Sequence, residues 1–416
     1  MTLRKPFNQW IESDIQALID ERIPESLHRE YKSTIDIGGK EKNAELCKDV
    51  SAFANAYGGA IIFGLKEKAQ NKQASIPVER TPISDLRLIE RLEDILVDSV
   101  QPRMEFFIHD PIPSQDKDSY YYIIDVPKSR RGLHMVRPRG IYYIRRNFRV
   151  DPMDALEIED AFRSFFAAGI DIEKRINDKT LPNPNKGLPR AFNSWLSVTT
   201  VPYFPQQDLF ESLFHLSKIE RGKITLGIRY QSGLDGREGF IPSFTGLNSV
   251  EKFPLESPEE TGQELYYHQH RIFSEGAVHI GLHLNCVSDL PLGMVLSYLH
   301  TSFAFVAGLF DYSGYRGPLE IRVDIRGIKH LVPKIMKAGF DMRGFKKLTI
   351  NNYYRRISTS GTELAENSIP VVQVIMDHLC RAGGKSKCDF YHYDKPGVFD
   401  ENLVSVVQND ILRFTP

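Results

Sequence analysis

The chain has 416 residues, 53 Lys+Arg against 54 Asp+Glu, with 41% hydrophobic and 26% charged residues. That length and balance suit a globular protein of two or three domains with real cores, and exclude one that grips nucleic acid through overall charge. Any such affinity has to come from a local patch.

Cys47, Cys286, Cys380 and Cys388 are too few and too scattered for a disulfide framework. No apolar run reads as a membrane span of ~20 residues, and "MTLRKPFNQWIESDIQ" lacks the apolar core of a signal peptide. The expected setting is cytoplasmic, with no membrane partner.

In chain order, "NQWIESDIQALIDERIPES" predicts an amphipathic helix with Trp10, Ile11, Ile15, Leu18 and Ile19 along one side, and "SLHREYKST" a strand. "AELCKDVSAFANAYGG" has a helical period through Leu46, Val50, Phe53 and Ala54 and stops at Gly58-Gly59. "AIIFGL" follows as a buried strand, then a helix over "SDLRLIERLEDILVDSV" capped by Ser84 or Asp85. "RMEFFIHD", "SYYYIIDVP" and "IYYIRRNFRV" read as strands and "DPMDALEIEDAFRSFFAAG" as a helix, closing an α+β domain over residues 1–170. The Pro- and Asn-rich stretch 171–190 reads as a linker. Residues 191–416 form a second mixed α/β region with strands "KITLGIRYQS", "GAVHIGLHLN" and "GPLEIRVDIRGI". Its helices are "PLGMVLSYLHTSFAFVAGLF", a core helix interrupted by Ser297, His300 and Thr301, and "IPVVQVIMDHLCRAGG". There is no internal repeat.

Charged residues bracket the first buried helix and strand. Glu25 and Glu30 are an odd number of residues apart, so they converge only if Glu25 sits on a bend set by Pro24 before the strand begins. His28, Glu30 and Lys32 share strand parity, and Glu67 lies just past the apolar strand. Three carboxylates meeting there would repel by about 3 kcal/mol per pair at about 5 Å. Raised pKa values, lysines such as Lys32, Lys66 and Lys68, or a divalent cation (Mg²⁺ or Mn²⁺) would have to offset that. His28 is a candidate acid or base. Spacing alone equally allows solvated strand ends.

From Pro127 to Val150 the chain carries Lys128, Arg130, Arg131, Arg137, Arg139, Arg145, Arg146 and Arg149 and no acidic residue, with His134, Tyr142, Tyr143 and Phe148 interleaved. Such a run suits a phosphate backbone and unpaired bases; the alternative is pairing with the acidic helix "DALEIEDAF". Tyr142 and Tyr143 have opposite strand parity, so at least one belongs to the core. His378, Cys380, Cys388 and His392 fit no common zinc spacing, so zinc is not expected. No GxxxxGK[ST] or GxSxG is present.

"PESLHREYK", "ELCKDVSAFANAYGGAIIFGLKE", "VPKS", "YYIRR" and "EIEDAF", in that order, resemble the Schlafen AlbA-like domain family over about residues 8–168. The resemblance implies an AlbA-like fold. It also implies a metal-dependent endoribonuclease acting on transfer or ribosomal RNA, with a role in antiviral defence and carboxylates at Glu25, Glu30 and Glu67. "GLKE" departs from the Asp-rich "GVDD" of nuclease members. Lys32 would assist at the phosphate, the arginines above would hold RNA, and two chains would pair as a homodimer. A non-catalytic DNA- or RNA-binding regulator and a nucleotide (ATP) binder remain the alternatives. Residues 191–416 would act as a sensor or regulatory module.

Overall fold

The computed structural model describes residues 7–388 apart from 71–72, 86, 117, 131, 147–148, 190–191, 207, 216–240, 244–245, 255–263, 285, 287, 335–344 and 387. Helix α1 (Glu12–Asp20) precedes β1 (Arg29–Lys32), which leads to α2 (Lys40–Asn55), β2 (Gly59–Phe63), and the hairpin β3 (Leu65–Gln70) and β4 (Gln73–Arg80). Next come α3 (Leu88–Ser99), β5 (Val100–Gln101), β6 (Phe107–Ile108), β7 (Ile112–Pro113), β8 (Tyr120–Val126), β9 (Met135–Val136), β10 (Ile141–Arg146) and β11 (Arg149–Pro152).

The main sheet runs β1-β2-β8-β6, with β7 also on β8; β1 is parallel to β2 and sits at the edge. The period of two in β2 and β8 feeds two cores. Ile61, Phe63, Tyr122, Ile124 and Val126 meet α2 and α3 on one face, while Ala60, Ile62, Tyr121 and Ile123 meet Ile15 and Leu18 of α1 on the other. The apolar strand ends at Phe63 rather than Leu65, because Gly64 at φ +95 turns the chain out of the sheet. The cap of α3 also differs from expectation. The helix starts at Leu88, and Asp85 instead accepts the Arg87 N–H at 3.0 Å ahead of the first turn. A small antiparallel sheet, β11-β10-β9-β5, packs across α2.

Helix α4 (Ala155–Lys179) runs 25 residues from a reciprocal cap in which Asp154 and Glu157 each accept the other's N–H at 2.9 Å. It therefore occupies the first half of the expected linker. Ile172 and Ile176, one turn apart, are buried against Val201, Phe273 and Ala277; among so many charges this two-residue apolar stripe was the only sign of a continuing helix. Beyond it, buried Asn185 is held by paired hydrogen bonds of 2.9 Å to the backbone of Tyr266.

The second region contains β12 (Trp195–Pro202), α5 (Glu211–Phe214), β13 (Ile241–Ser243), β14 (Gly246–Pro254), β15 (Glu264–Phe273), β16 (Val278–His283), β17 (Asp289–Pro291) and α6 (Leu292–Ser313). It continues with β18 (Pro318–Arg326), β19 (Val332–Lys334), β20 (Asn352–Ser360), α7 (Gly361–Asn367) and α8 (Ile369–Ala382). Seven strands form one antiparallel sheet, β13-β14-β15-β16-β12-β18-β20. One face packs α6 and α8 in the largest core; the other meets the second half of α4. Helix α6 is long and apolar enough to cross a membrane, but most of it is buried in this core. "KITLGIRYQS" and His392 lie outside the described residues.

Candidate functional site at the edge of the first sheet

β1 places Glu30 and Lys32 on one face, turned toward α2. Lys32 Nζ lies 2.6 Å from Glu30 Oε1 and 3.1 Å from Asp49 Oδ2. Asp49, on the buried side of α2, was not among the expected site residues. Burial, then the Glu30 carboxylate, push its carboxyl up to about 6. An Asp in a helix of apolar period reads as a surface residue, and only the meeting of α2 with β1 reveals it.

The other Glu30 oxygen is taken by Arg145 Nη1. Arg145 comes from β10, is 2% exposed, donates to Ser26 O at 3.0 Å and Arg29 O at 3.1 Å, and lies 4.5 Å from the Phe53 ring centre. Its place in the nucleic-acid run is therefore corrected: the guanidinium is an internal brace.

Glu25 precedes β1, as its place beside Pro24 suggested. Its Oε1 accepts the Tyr31 N–H at 3.2 Å. Its carboxyl is pushed up to about 7, first by burial and then by the Glu67 carboxylate, with a smaller push from Glu30. Glu67 is exposed on β3, where the ladder with β4 slips between Lys66 and Glu67; a bulge of this kind re-aims a side chain. Glu25 thus lies close enough to Glu67 and to Glu30 to be repelled by each. His28 is half-buried with Nδ1 2.9 Å from Gly58 O, and burial lowers its pKa.

The expected metal does not fit these residues as they stand. Both Glu30 oxygens are satisfied by cations, one by Lys32 Nζ and the other by Arg145 Nη1. Among the described residues no three His, Cys, Asp or Glu side chains are placed to hold a metal ion. At the discounted zinc residues, Cys380 and Cys388 are buried and His378 Nδ1 lies 3.4 Å from the Tyr353 hydroxyl.

The basic run is largely neutralised by acids from elsewhere in the chain. Arg130 pairs with Glu105 at 3.2 Å, Arg139 with Glu41 and with Glu45 at 2.7 Å, and Arg146 with Asp151 at 3.2 Å and with Glu157 of the acidic helix. Arg149 is mostly exposed and reaches Asp151 at 3.0 Å. Lys128 is half-buried with its ammonium over the rings of Tyr57 and Phe204, and burial lowers it to about 8, so little of its charge faces outward for the expected binding surface. Arg137 is exposed and pairs with no described residue, while Arg131 and Phe148 lie outside the described residues. Tyr143 is in the core, as parity required of one of the two tyrosines.

Asn55, at the end of α2, ties that helix to the small sheet. Its amide donates to His134 O and Tyr143 O, both at 2.8 Å, and accepts the His134 N–H at 2.7 Å. Gly58 and Gly59 have no room for a side chain. A Cβ on Gly59 would lie 2.4 Å from the Phe53 ring, and one on Gly58 2.5 Å from Arg316 Cβ.

Among solved structures, the chain is similar to the DIP2311 protein of Corynebacterium diphtheriae at 13% identity and a TM-score of 0.22. The match covers 75% of this chain and 65% of that one; a likeness this slight carries no argument. No curated protein matches. The model of the family described as Schlafen, AlbA_2 matches residues 25–154, the stretch that holds Glu25, Glu30, Asn55, Gly58, Glu67 and Arg145, and supports a nucleic-acid-related function in general terms. Residues 25–154 of this chain are a Schlafen AlbA_2 domain.

Proposed function

We propose that the chain is an endoribonuclease whose chemical centre is the Glu25–Glu67 pair, acting by acid–base chemistry. The observation that carries this reading is a buried Glu25 carboxyl, pushed up to about 7 by burial and then by the neighbouring Glu67 carboxylate, which is exposed on β3. A carboxyl that keeps its proton near neutral pH, set beside a second carboxylate, offers an acid and a base together. Glu67, the accessible member, takes the proton of an RNA 2′-hydroxyl as that oxygen attacks phosphorus. The P–O5′ bond breaks, and Glu25 gives its proton to the leaving 5′-oxygen. The products are a 2′,3′-cyclic phosphate and a 5′-hydroxyl. Lys32, partly exposed on the edge strand β1 and held by Glu30 and Asp49, favours approach of the phosphate.

The test incubates total transfer RNA with wild type and with Glu25→Gln, in chelator and then with Mn²⁺. Fragments ending in cyclic phosphate, formed in chelator and lost with Glu25→Gln, support the reading. Cleavage that requires Mn²⁺ would replace it with the metal-dependent chemistry implied by the family resemblance.

A second reading is a non-catalytic RNA- or DNA-binding module. It is favoured by the complete neutralisation of Glu30 by Arg145 and Lys32, the arrangement of a structural ion cluster. It predicts intact RNA throughout, with binding that falls as salt rises and is indifferent to Glu25→Gln.

A further inference from the structure

The first half of α4 leaves large apolar side chains in solvent. Leu156 and Phe166 are each 72% exposed, the two most exposed large apolar side chains among the described residues. Phe162, at 37%, is partly covered, passing 3.6 Å from where a Gly132 side chain would begin. The second half of the same helix is buried against the seven-stranded sheet through Ile172 and Ile176. One helix is thus buried along one half and carries an exposed apolar stripe along the other.

Between Leu156 and Phe166 on this face sit Glu159 and Arg163, an i,i+4 pair at 2.6 Å, both exposed. At 3.6 residues per turn the four side chains fall within an arc of about 80°. Their order is apolar, acidic, basic, apolar, and both the outer and the inner pair are centred on position 161. An antiparallel copy of the same helix, related by a two-fold axis at that position, would bring Leu156 opposite Phe166 and Glu159 opposite Arg163, twice over. The stripe is complementary to itself in charge as well as in shape. A patch of this kind fits an isologous contact, in which the same surface serves both partners.

We propose that α4 pairs antiparallel with α4 of a second copy of this chain, centred on residue 161, through Leu156, Glu159, Arg163 and Phe166. The inference does not depend on the chemistry at Glu25 and Glu67. A contact this small makes a weak dimer, populated at roughly ten micromolar chain and above.

Sedimentation equilibrium of the full chain from about 1 to about 100 µM should give a mass rising from one chain toward two. Leu156→Asp should hold it at one chain throughout, with an unchanged far-ultraviolet circular dichroism spectrum. Glu159→Arg, which sets arginine against Arg163 of the second copy, should raise the dimer dissociation constant about tenfold. The double change Glu159→Arg with Arg163→Glu should restore it. The four native cysteines are buried, so an introduced thiol reports orientation: Leu156→Cys chains should cross-link to Phe166→Cys chains and neither to itself. A single-chain mass at every concentration, a dimer untouched by Leu156→Asp, or self-cross-linking in place of the mixed product would each overturn the proposal.

Discussion

Arg145 and Glu30, 115 residues apart in sequence, meet as an ion pair in the interior of the first region. The pair joins the edge strand of the main sheet to the small sheet across α2, and the Phe53 ring closes the remaining face of the guanidinium. Removing one partner leaves a charge stranded away from water. Arg145→Ala is expected to lower stability by about 3–5 kcal/mol in urea unfolding. Arg137→Ala, on the surface of the same basic run, should change it by less than about 0.5 kcal/mol. Equal effects would contradict the division of that run into brace and surface.

The Glu25–Glu67 pair makes stability depend on pH. The Glu25 carboxyl, ordinarily at 4.5, stands at about 7 in the folded chain. Between those values the folded form holds a proton that the unfolded form has released, so this group's contribution to stability is fully present below about pH 4.5 and is lost as pH rises toward 7. Asp49, raised to about 6, acts in the same direction over the lower part of that window. Glu25→Gln should flatten the decline by about 1–2 kcal/mol, after allowance for solvent reaching the pair. Thermal melts from pH 5 to 8 read it directly, and an unchanged slope would remove the raised Glu25 carboxyl from the account.

Asn55 offers a clean measure of a buried polar tie. Asn55→Ala forfeits two donated hydrogen bonds and one accepted bond, stranding backbone groups of His134 and Tyr143. The expected loss is about 2–4 kcal/mol. Amide hydrogen exchange should localise the loosening to β9 and β10, leaving the seven-stranded sheet protected.

Lys128 is expected to behave opposite to a phosphate-binding lysine. Burial lowers it from 10.5 to about 8, so in that window its contribution to stability grows as pH rises and the neutral form takes over. At pH 7 the buried charge is a burden, and Lys128→Met should raise stability by about 1 kcal/mol, net of the ring contacts it gives up. The salt dependence of any nucleic-acid binding should stay unchanged, because the ammonium is covered by Tyr57 and Phe204.

The first region was legible where pattern is local. The period of α2, the apolar run of β2 and the proximity of Glu25, Glu30 and Glu67 follow from spacing and family resemblance. Asp49, Arg145 and Asn55 were not legible, because each owes its role to an element far away in sequence. A basic run without acidic neighbours looked like a surface for phosphate, yet Glu41, Glu45, Glu105 and Glu157 reach it from other segments. Similarly, the helix through Lys179 was hidden because only Ile172 and Ile176 carry its apolar face.

The tight turn at Gly58 bears on evolutionary exchange. Its neighbour in space is Arg316 of the second region, whose carbonyl accepts the Lys128 N–H at 2.9 Å. Nearby, Asp125 of β8 is fully buried and accepts a 2.8 Å hydrogen bond from Thr362. A foreign partner grafted after residue 170 would have to supply a hydroxyl and a carbonyl at those places, or leave a carboxylate and an amide without company. The two halves have to change in concert, so variation at Asp125 should track variation at Thr362 across sequences that share both.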